Sequence, residues 1–278
     1  MAGHTLKERL GTMSQNNRRR RNKKDRKKSG IFSTILLVIA IGVFIFSAYK
    51  LLNIYLEYKK GSDEYDKIQK LAITKDKDSD GEDTEGDAFK VDFDALKKIN
   101  EDTAAWIRFD EPSEINYPVV QGRDNSEYLK RTFEANDNKL GTLFIDAENK
   151  NDFSDRNTFI YGHNMKNGTM FAQLKKYQEK SFWEQYPYFY IYTPDGKVGT
   201  YQIFSVGVVG DVSDNYQKVF ASDEEYLNYL NLAVQSSMYD TGVKLSAESK
   251  IVSLSTCTNV KDEERILVQG VRISESVQ

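Results

Sequence analysis

The pattern of apolar and polar positions begins with one long apolar stretch near the N-terminus. No charged residue lies between Ser29 and Tyr49, and residues 31–48 are almost all Ile, Leu, Val, Phe or Ala. As a helix, the nineteen residues from Ile31 to Tyr49 span about 30 Å, which matches the hydrocarbon core of a bilayer. A buried helix of a soluble protein rarely stays apolar for so long. The pattern therefore predicts a transmembrane anchor at residues 29–49.

The charge in front of this stretch predicts its orientation. Residues 1–28 contain eleven Lys and Arg against two acidic residues, a net charge of +9, so the rest of the chain carries −12 to reach the overall −3. Basic flanks of a membrane span stay in the cytoplasm. A nuclear-localisation or RNA-binding arm is the alternative for such a run in isolation. The run lies directly before the apolar helix, which favours a role in orienting the membrane span. We therefore expect a cytoplasmic arm at residues 1–28, contact with membrane lipid and no nucleic-acid partner.

A cleaved signal peptide is the alternative to an anchor. The apolar region of a signal peptide is shorter and ends in a small-x-small cleavage site. Residues 46–50, Phe-Ser-Ala-Tyr-Lys, offer no convincing site of this kind. We therefore expect a single uncleaved span in the cell membrane, with everything after it extracytoplasmic.

Residues 50–89 are predicted to form an extracytoplasmic stalk and an acidic linker. Apolar residues recur at partly helical spacing up to Ile73, whereas residues 75–87 contain none. Five residues of this linker have the spacing of EF-hand calcium ligands and their glycine: Asp76, Asp78, Asp80, Gly81 and Asp87. The twelfth position is Asp instead of Glu, and Asp83 stands where an apolar residue is expected. A plain linker is the favoured interpretation, with a calcium site as the alternative.

Residues 90–278 are predicted to form one mainly β domain. Runs rich in Val, Ile, Tyr and Phe predict eight strands: Trp106–Phe109, Ile115–Val120, Thr142–Asp146, Asn157–Tyr161, Tyr188–Thr193, Gly199–Val209, Lys250–Ser255 and Ile266–Ile273. Amphipathic spacing predicts helices at Asp92–Asn100, at Ser126–Phe133 and, after a capping box of Ser222 with Glu225, at residues 222–237. Closely spaced strands with one long helix predict a closed antiparallel barrel.

Composition then limits the chemistry of this domain. The chain has one cysteine and two histidines, so it has no intrachain disulfide and no multi-cysteine or His-rich metal centre. We expect neither a metal nor another cofactor. Hydrophobic residues make up 39% of the chain, which is enough for a packed core and excludes a wholly disordered protein.

Three residues are candidates for catalysis. Cys257 ends an apolar strand, His163 follows another, and Arg265 opens the last one. The exposed end of a strand in a rigid scaffold suits a reactive side chain. On composition alone, a lone cysteine such as Cys257 is most often a small buried apolar residue, a lone histidine such as His163 is commonly structural, and Arg265 is consistent with one surface charge among several.

The exact strings around these residues resemble those of a known family. Leu254-Ser255-Thr256-Cys257 resembles the Leu-x-Thr-Cys signature of sortases, the cysteine transpeptidases of the Gram-positive cell surface. Tyr161-Gly162-His163-Asn164-Met165 resembles the histidine segment of class B sortases. Residues 116–122 with 124–129, residues 141–146, and Met170-Phe171-x-x-Leu174 as a helix also fit the class B pattern. The resemblance covers essentially all of residues 90–275.

This resemblance implies a fold and a mechanism. It implies a closed sortase-type β-barrel of about eight strands, with N-terminal helices and a long helix between the sixth and seventh strands. Cys257 would be the nucleophile, His163 the general acid/base and Arg265 the stabiliser of the transition state. The substrate would be the C-terminal sorting signal of a surface protein, cleaved after Thr through a thioacyl-enzyme, and the acceptor a peptidoglycan amine. The positions matching the class B substrate groove or flanking the catalytic residues are Asn125, Leu129, Tyr161 and Ser255.

Some alternatives remain open at this level. Arg272 is a second arginine in the last predicted strand, seven residues beyond Arg265. Tyr161 and Leu129 are also consistent with simple core packing. A hydrolytic cysteine protease would use the same cysteine and histidine, and a surface scaffold would need neither.

Overall fold

The computed structural model describes residues 5–74 and 89–277, with side chains from Phe32 onward except at Thr74, and the chain divides into two compact units between Leu56 and Glu57. Helix α1, Thr5–Ala72, contributes to both. In the first unit, the apolar side chains from Phe32 to Leu56 are exposed, and the helix is long and apolar enough to cross a membrane. The linker residues with EF-hand spacing lie outside the described residues.

Apart from a short antiparallel pair, Ile73–Thr74 with Lys90–Val91, the described part of the second unit has eight strands that follow one another along the chain. They are β1 (Thr103–Phe109), β2 (Asn116–Val120), β3 (Leu143–Ile145), β4 (Asn157–Tyr161), β5 (Tyr188–Tyr192), β6 (Lys197–Gly210), β7 (Ile251–Cys257) and β8 (Glu264–Val277). All eight predicted strands are present, with their ends moved by a few residues. Strand β7 ends at Cys257 itself, and β8 begins one residue before Arg265.

These strands close into one barrel in the order β8-β6-β5-β1-β2-β3-β4-β7. The predicted closed barrel is confirmed, but the expectation that it is antiparallel throughout is wrong. Strands β2 and β3 pair in parallel, and so do β4 and β7. The long connection from Val120 to Leu143 lets β3 run alongside β2, and β4 pairs with a strand far along the chain. This parallel pairing brings the ends of β4 and β7 to the same rim of the barrel.

Three further helices surround the barrel, α2 (Phe93–Ile99), α3 (Lys180–Gln185) and α4 (Asp223–Gln235). Helix α4 lies between the sixth and seventh strands, as predicted, and its Ser222 side chain accepts the backbone N–H of Glu225 at 3.1 Å. The helix expected from Met170 is a 3₁₀ helix at Ala172–Gln178.

The helix predicted at Ser126–Phe133 is absent, and this segment forms turns. The Asp124 carboxylate accepts the backbone N–H groups of Ser126 and Glu127 at 2.8 and 3.0 Å, which closes a single turn. Beyond it, the carbonyl of Lys130 accepts the N–H of Asn138, and Arg131 is bridged to Asp137. The backbone groups that would continue a helix are therefore used in a loop that folds back on itself.

The core fills the barrel with large side chains, among them the fully buried Trp106, Phe109, Phe189 and Leu254. A second cluster lies outside the barrel, where Tyr226 and Leu230 of α4 pack against Phe204. Burial of each such side chain contributes roughly 1.5–3 kcal/mol. This rigid body positions the strand ends that form the site.

The end of helix α1 belongs to this packed unit instead of forming a free stalk. Tyr65, Ile68 and Ala72 are almost completely buried in the same core as the barrel. The domain expected to begin at residue 90 therefore includes residues from Glu57 onward. Of the apolar residues in 51–73, Tyr65, Ile68 and Ala72 pack against the protein, whereas those up to Leu56 and also Leu71 are exposed.

Candidate active site

A cavity of about 240 Å³ lies at the rim of the barrel where β4 and β7 end. All seven residues singled out from the sequence line it: Asn125, Leu129, Tyr161, His163, Ser255, Cys257 and Arg265. Thr142, Phe144, Gly162 and Thr256 complete its wall and were not predicted. A slightly larger cavity, of about 270 Å³, lies toward the other end of the barrel and contains none of the seven.

Strand pairing places Arg265 directly opposite Cys257. The two residues are register partners on β8 and β7, so their side chains lie on the same face of the sheet. Arg272 pairs instead with Tyr201, lines the other cavity and forms an ion pair with Glu275 at 2.8 Å. Arg272 lies seven residue steps along the strand from Arg265, a distance of about 23 Å. The structure therefore leaves Arg265 as the arginine beside the thiol.

The guanidinium of Arg265 is held by three hydrogen bonds. Its Nη2 donates to Asp211 Oδ2 at 3.0 Å, and its Nη1 donates to the carbonyls of Glu264, at 3.0 Å, and Asp262. A guanidinium has five N–H donors. Within the described residues, Nε–H and one Nη2–H therefore have no hydrogen-bond acceptor.

His163 reaches the same rim because β4 and β7 run in parallel. The ladder continues past Tyr161, since the N–H of Gly162 donates to the carbonyl of Ser255 at 3.1 Å. The imidazole Nε2 lies 2.7 Å from the carbonyl oxygen of Leu129. A carbonyl only accepts, so we assign the ring proton to Nε2, which leaves Nδ1 as the nitrogen that can exchange a proton.

The loops after β4 and β7 are tied to each other. Asn164 Nδ2 donates to the carbonyl of Cys257 at 2.8 Å, and Asn259 Nδ2 donates to the carbonyl of Asn164 at 2.8 Å. These bonds fix the backbone that carries the thiol against the backbone that carries the imidazole. Over the described part of the chain, no hydrogen bond joins Cys257 Sγ to the ring of His163.

A buried carboxylate, Asp146, organises one wall of the cavity. Its Oδ2 accepts from Tyr161 Oη at 2.9 Å, Asn125 Nδ2 at 3.1 Å and Lys218 Nζ at 3.0 Å. Burial raises the pKa of Asp146, but hydrogen bonds from the Glu148 N–H, Lys218 and Tyr161 outweigh it and hold this pKa below its usual value. Burial and the neighbouring carboxylate raise the pKa of Tyr161. Tyr161 therefore stays a neutral donor.

Ser255 lies beside Tyr161, its register partner on the neighbouring strand. Its Oγ lies 2.8 Å from Tyr216 Oη, and the Tyr216 ring stacks on Phe159 with centroids 5.3 Å apart. Burial raises the pKa of Tyr216, so the phenol is neutral. Ser255 thus has a fixed partner and a fixed orientation.

Three residues that hold the site together were not predicted from the sequence: Asp146, Asp211 and Tyr216. Asp146 ends a predicted strand, which is the same signal that singled out Cys257. Asp211 lies in a turn and Tyr216 ends a short 3₁₀ helix, Asp214–Tyr216, and neither belongs to a motif. In the described ranges, no group of three or more His, Cys, Asp or Glu residues is arranged to hold a metal ion.

Comparison with known proteins agrees with this architecture. The Sortase domain family matches residues 111–273. Sortase B of Listeria monocytogenes is 33% identical over 244 residues, covering 86% of this chain and 96% of that protein, and Sortase B of Staphylococcus aureus is 32% identical over 243 residues, covering 85% and 95%.

Solved structures agree as well. The X-ray structure of Clostridium perfringens sortase B has a TM-score of 0.62 and 34% identity, covering 66% of this chain and 100% of that one. A Staphylococcus aureus sortase B–substrate complex has a TM-score of 0.67 and 26% identity, covering 79% and 100%. The chain therefore belongs to the sortase family of cysteine transpeptidases, and within it to class B.

Proposed function

We propose that this transpeptidase cleaves a C-terminal sorting signal after Thr and transfers the surface protein to a peptidoglycan amine. The observation that carries the proposal is the meeting of Cys257, His163 and Arg265 in one cavity at the barrel rim. A thiol, a proton carrier and a fixed cation are the groups that acyl transfer requires. A substrate complex of a Staphylococcus aureus sortase B, 26% identical to this chain, supports a peptide-type substrate.

In the first half-reaction, Nδ1 of His163 takes the thiol proton of Cys257. The thiolate then bonds to the carbonyl carbon of the substrate threonine, and the carbonyl electron pair moves to oxygen. When this tetrahedral intermediate collapses, the C–N bond breaks and the leaving amine receives the proton from His163. The product is a thioester between Cys257 and the threonine.

In the second half-reaction, an incoming amine attacks the thioester carbonyl. His163 Nδ1 accepts the amine proton as the C–N bond forms. The C–S bond then breaks with its electron pair on Cys257 Sγ, which takes the proton back from Nδ1. Throughout, Nε2–H stays hydrogen-bonded to the Leu129 carbonyl, which holds the ring in one orientation. Because Nε2–H only orients the ring, Nδ1 is free to take up a proton and give it back in each half-reaction.

Arg265 stabilises the oxyanion of both intermediates. Its bonds to Asp211 and to the two backbone carbonyls fix the guanidinium, and two N–H groups remain to donate to the developing charge. An arginine keeps its charge at all physiological pH values, so this stabilisation does not depend on a proton. Asn125, Leu129, Tyr161 and Ser255 form the walls that hold the sorting peptide, with Asn125 and Tyr161 oriented by Asp146.

Peptide cleavage by purified full-length chain in detergent, with and without an amine acceptor, tests this proposal. We expect an amide adduct with the acceptor, and its replacement by hydrolysed product alone would identify a hydrolytic protease instead. Cys257→Ala abolishes thioester formation and transfer. His163→Ala leaves a thiol that can be alkylated but turns over poorly. Cleavage that survives alkylation of Cys257 would refute the mechanism.

Arg265 has a matched control in Arg272, which lies on the same strand away from the thiol. Loss of one oxyanion donor costs roughly 100–1000-fold in kcat, which we expect for Arg265→Ala with little change in KM. Arg272→Ala keeps near-normal kcat. Arg265→Lys remains poor because an ammonium lacks the planar donor geometry. An inactive Arg272→Ala beside an active Arg265→Ala would reverse this assignment.

We further propose that residues 29–49 anchor the enzyme in the cell membrane with residues 1–28 in the cytoplasm. The exposed apolar surface from Phe32 onward supports an anchor, and the +9 charge of residues 1–28 supports this orientation. Protease added to intact protoplasts should digest the catalytic domain and spare the basic arm. Protection of the domain would contradict the topology.

A further inference from the structure

The helical segment Glu57–Ala72 contacts the loop that leads into the active site. This loop, residues 131–142, connects the turn around Leu129 to strand β3. Asn138 Nδ2 donates to the carbonyl of Glu57 at 3.0 Å, and Lys139 forms an ion pair with the Glu57 carboxylate at 2.9 Å. Tyr65, which also contacts this loop, is almost completely buried.

Glu64 places a buried carboxylate inside this loop. Only 6% of the residue is exposed. Its oxygens accept from Thr132 Oγ1 at 2.9 Å, from the Glu134 N–H at 2.9 Å and from Asn136 Nδ2 at 3.2 Å. A buried carboxylate needs such donors to offset the cost of desolvation. Glu64 therefore fixes the first half of the loop.

Tyr65 fixes the second half. Its hydroxyl donates to the carbonyl of Gly141 at 2.6 Å and lies 3.1 Å from Thr142 Oγ1, which itself donates to the carbonyl of Arg131 at 2.8 Å. Its ring packs edge-on against Tyr117, with centroids 5.4 Å apart. The hydroxyl can therefore be removed without losing the ring contact.

The residues held by Tyr65 lie against the carbonyl that orients His163. The N–H of Thr142 donates to the carbonyl of Tyr128 at 3.1 Å. Gly141 has a φ of +62°, and a Cβ there would lie 2.9 Å from the Leu129 carbonyl oxygen and 3.1 Å from His163 Cδ2. The Leu129 carbonyl is thus confined between Gly141 and the imidazole that donates to it.

We propose that Glu64 and Tyr65 are positioning residues for His163, so that a segment before the barrel is part of the active-site machinery. They act through residues 131–142 on the Leu129 carbonyl and touch no reacting atom. The catalytic consequence rests on the role proposed above for His163. The orientation of the His163 ring can be measured without any assay of activity, so it is tested separately.

The test uses the full-length chain in detergent micelles with two variants and one control. Tyr65→Phe removes the hydroxyl and keeps the ring, and Glu64→Gln removes the charge. Asp63→Asn is the matched control, because Asp63 lies on the same helix and its exposed carboxylate pairs only with Lys59 among the described residues. If Glu64→Gln does not fold, Tyr65→Phe decides alone.

The direct readout is the ring N–H signal of His163 by NMR. The chain contains only His4 and His163, so His4→Gln leaves a single histidine signal. We expect Tyr65→Phe to shift or broaden the Nε2–H signal, and Asp63→Asn to leave it unchanged. An unchanged signal in Tyr65→Phe would overturn the proposal, even if the variant melts at a lower temperature.

The kinetic readout separates positioning from plain destabilisation. Loss of one hydrogen bond that orients a catalytic group predicts a fall in kcat of about fivefold for Tyr65→Phe, with KM changed less than about twofold. Normal kcat well below the melting temperature would contradict the proposal. His163→Ala is measured in parallel. If this variant retains full activity, the mechanism proposed above fails. If it is inactive while Tyr65→Phe has normal activity, only the positioning role is refuted.

Discussion

Replacing Asp146 with Asn tests whether one buried carboxylate organises the wall of the cavity. The residue is 1% exposed, and its Oδ2 accepts from Tyr161, Asn125 and Lys218 while its Oδ1 accepts the N–H of Glu148. An asparagine side chain keeps one acceptor oxygen and replaces the other with a donor. Whichever way the amide turns, at least one donor then faces N–H instead of oxygen.

The size of the effect follows from these contacts. A hydrogen bond to a charged group contributes about 1.5–3 kcal/mol, and a buried donor left without an acceptor costs roughly 1–3 kcal/mol. The loss of the ion pair itself adds little, because Lys218 keeps Glu148 as a partner at 2.6 Å. We therefore expect Asp146→Asn to lower the free energy of unfolding by about 2–4 kcal/mol.

The stability lost in Asp146→Asn should depend on pH, and the pKa of Asp146 determines the direction of this dependence. The pKa of Asp146 lies below its usual value in the folded protein, so the native state favours the ionised carboxylate. Its stabilisation is fully present above the unfolded pKa of about 4 and disappears as the pH falls through the lower folded pKa. The difference between wild type and Asp146→Asn is therefore largest near neutral pH and shrinks below about pH 4.

Urea unfolding of a chain starting at Glu57, followed by tryptophan fluorescence between pH 3 and pH 7, measures both quantities. Glu148→Gln is the matched control, because it removes the other carboxylate bound to Lys218 at an exposed position, and we expect less than about 0.5 kcal/mol. Peptide KM should rise in Asp146→Asn as Asn125 and Tyr161 lose their orientation. A stability loss that is equally small for both variants, or constant across the pH range, would refute the reasoning.

Three further predictions concern the same unit. Gly141→Ala should lower the free energy of unfolding by about 1–3 kcal/mol because of its left-handed backbone, and further because the new Cβ would collide with adjacent carbonyls. Gly196→Ala, with a φ of +81° and open space around it, should show only the backbone penalty, and equal melting temperatures of the two variants would contradict this. Asp211→Ala should lower kcat about fivefold by releasing Arg265, and a loss as large as that of Arg265→Ala would give Asp211 a direct role. Ser222→Ala should cost about 1 kcal/mol in urea unfolding by uncapping α4, and no change would show that the cap is dispensable.

The sequence by itself determined the features that depend on local periodicity and on short strings. Alternating apolar residues place all eight strands, and the spacing after Ser222 places α4 between the sixth and seventh of them. The strings around Cys257 and His163 pointed to class B sortases, which the family comparison confirms. The same kind of reasoning was wrong at Ser126–Phe133, where a helical spacing of apolar residues is overruled by the Asp124 side chain and by pairing across the loop.

Only the tertiary structure decided which distant residues meet. The parallel pairing of β4 with β7 brings His163 to the rim that carries Cys257, and the register of β8 places Arg265 opposite the thiol and Arg272 far from it. The contact of the Leu129 carbonyl with His163, the cluster around Asp146 and the contact of Glu57–Ala72 with residues 131–142 are tertiary contacts, which no string of residues specifies. Periodicity records which face of an element is buried, but the partner of that face depends on how the barrel closes.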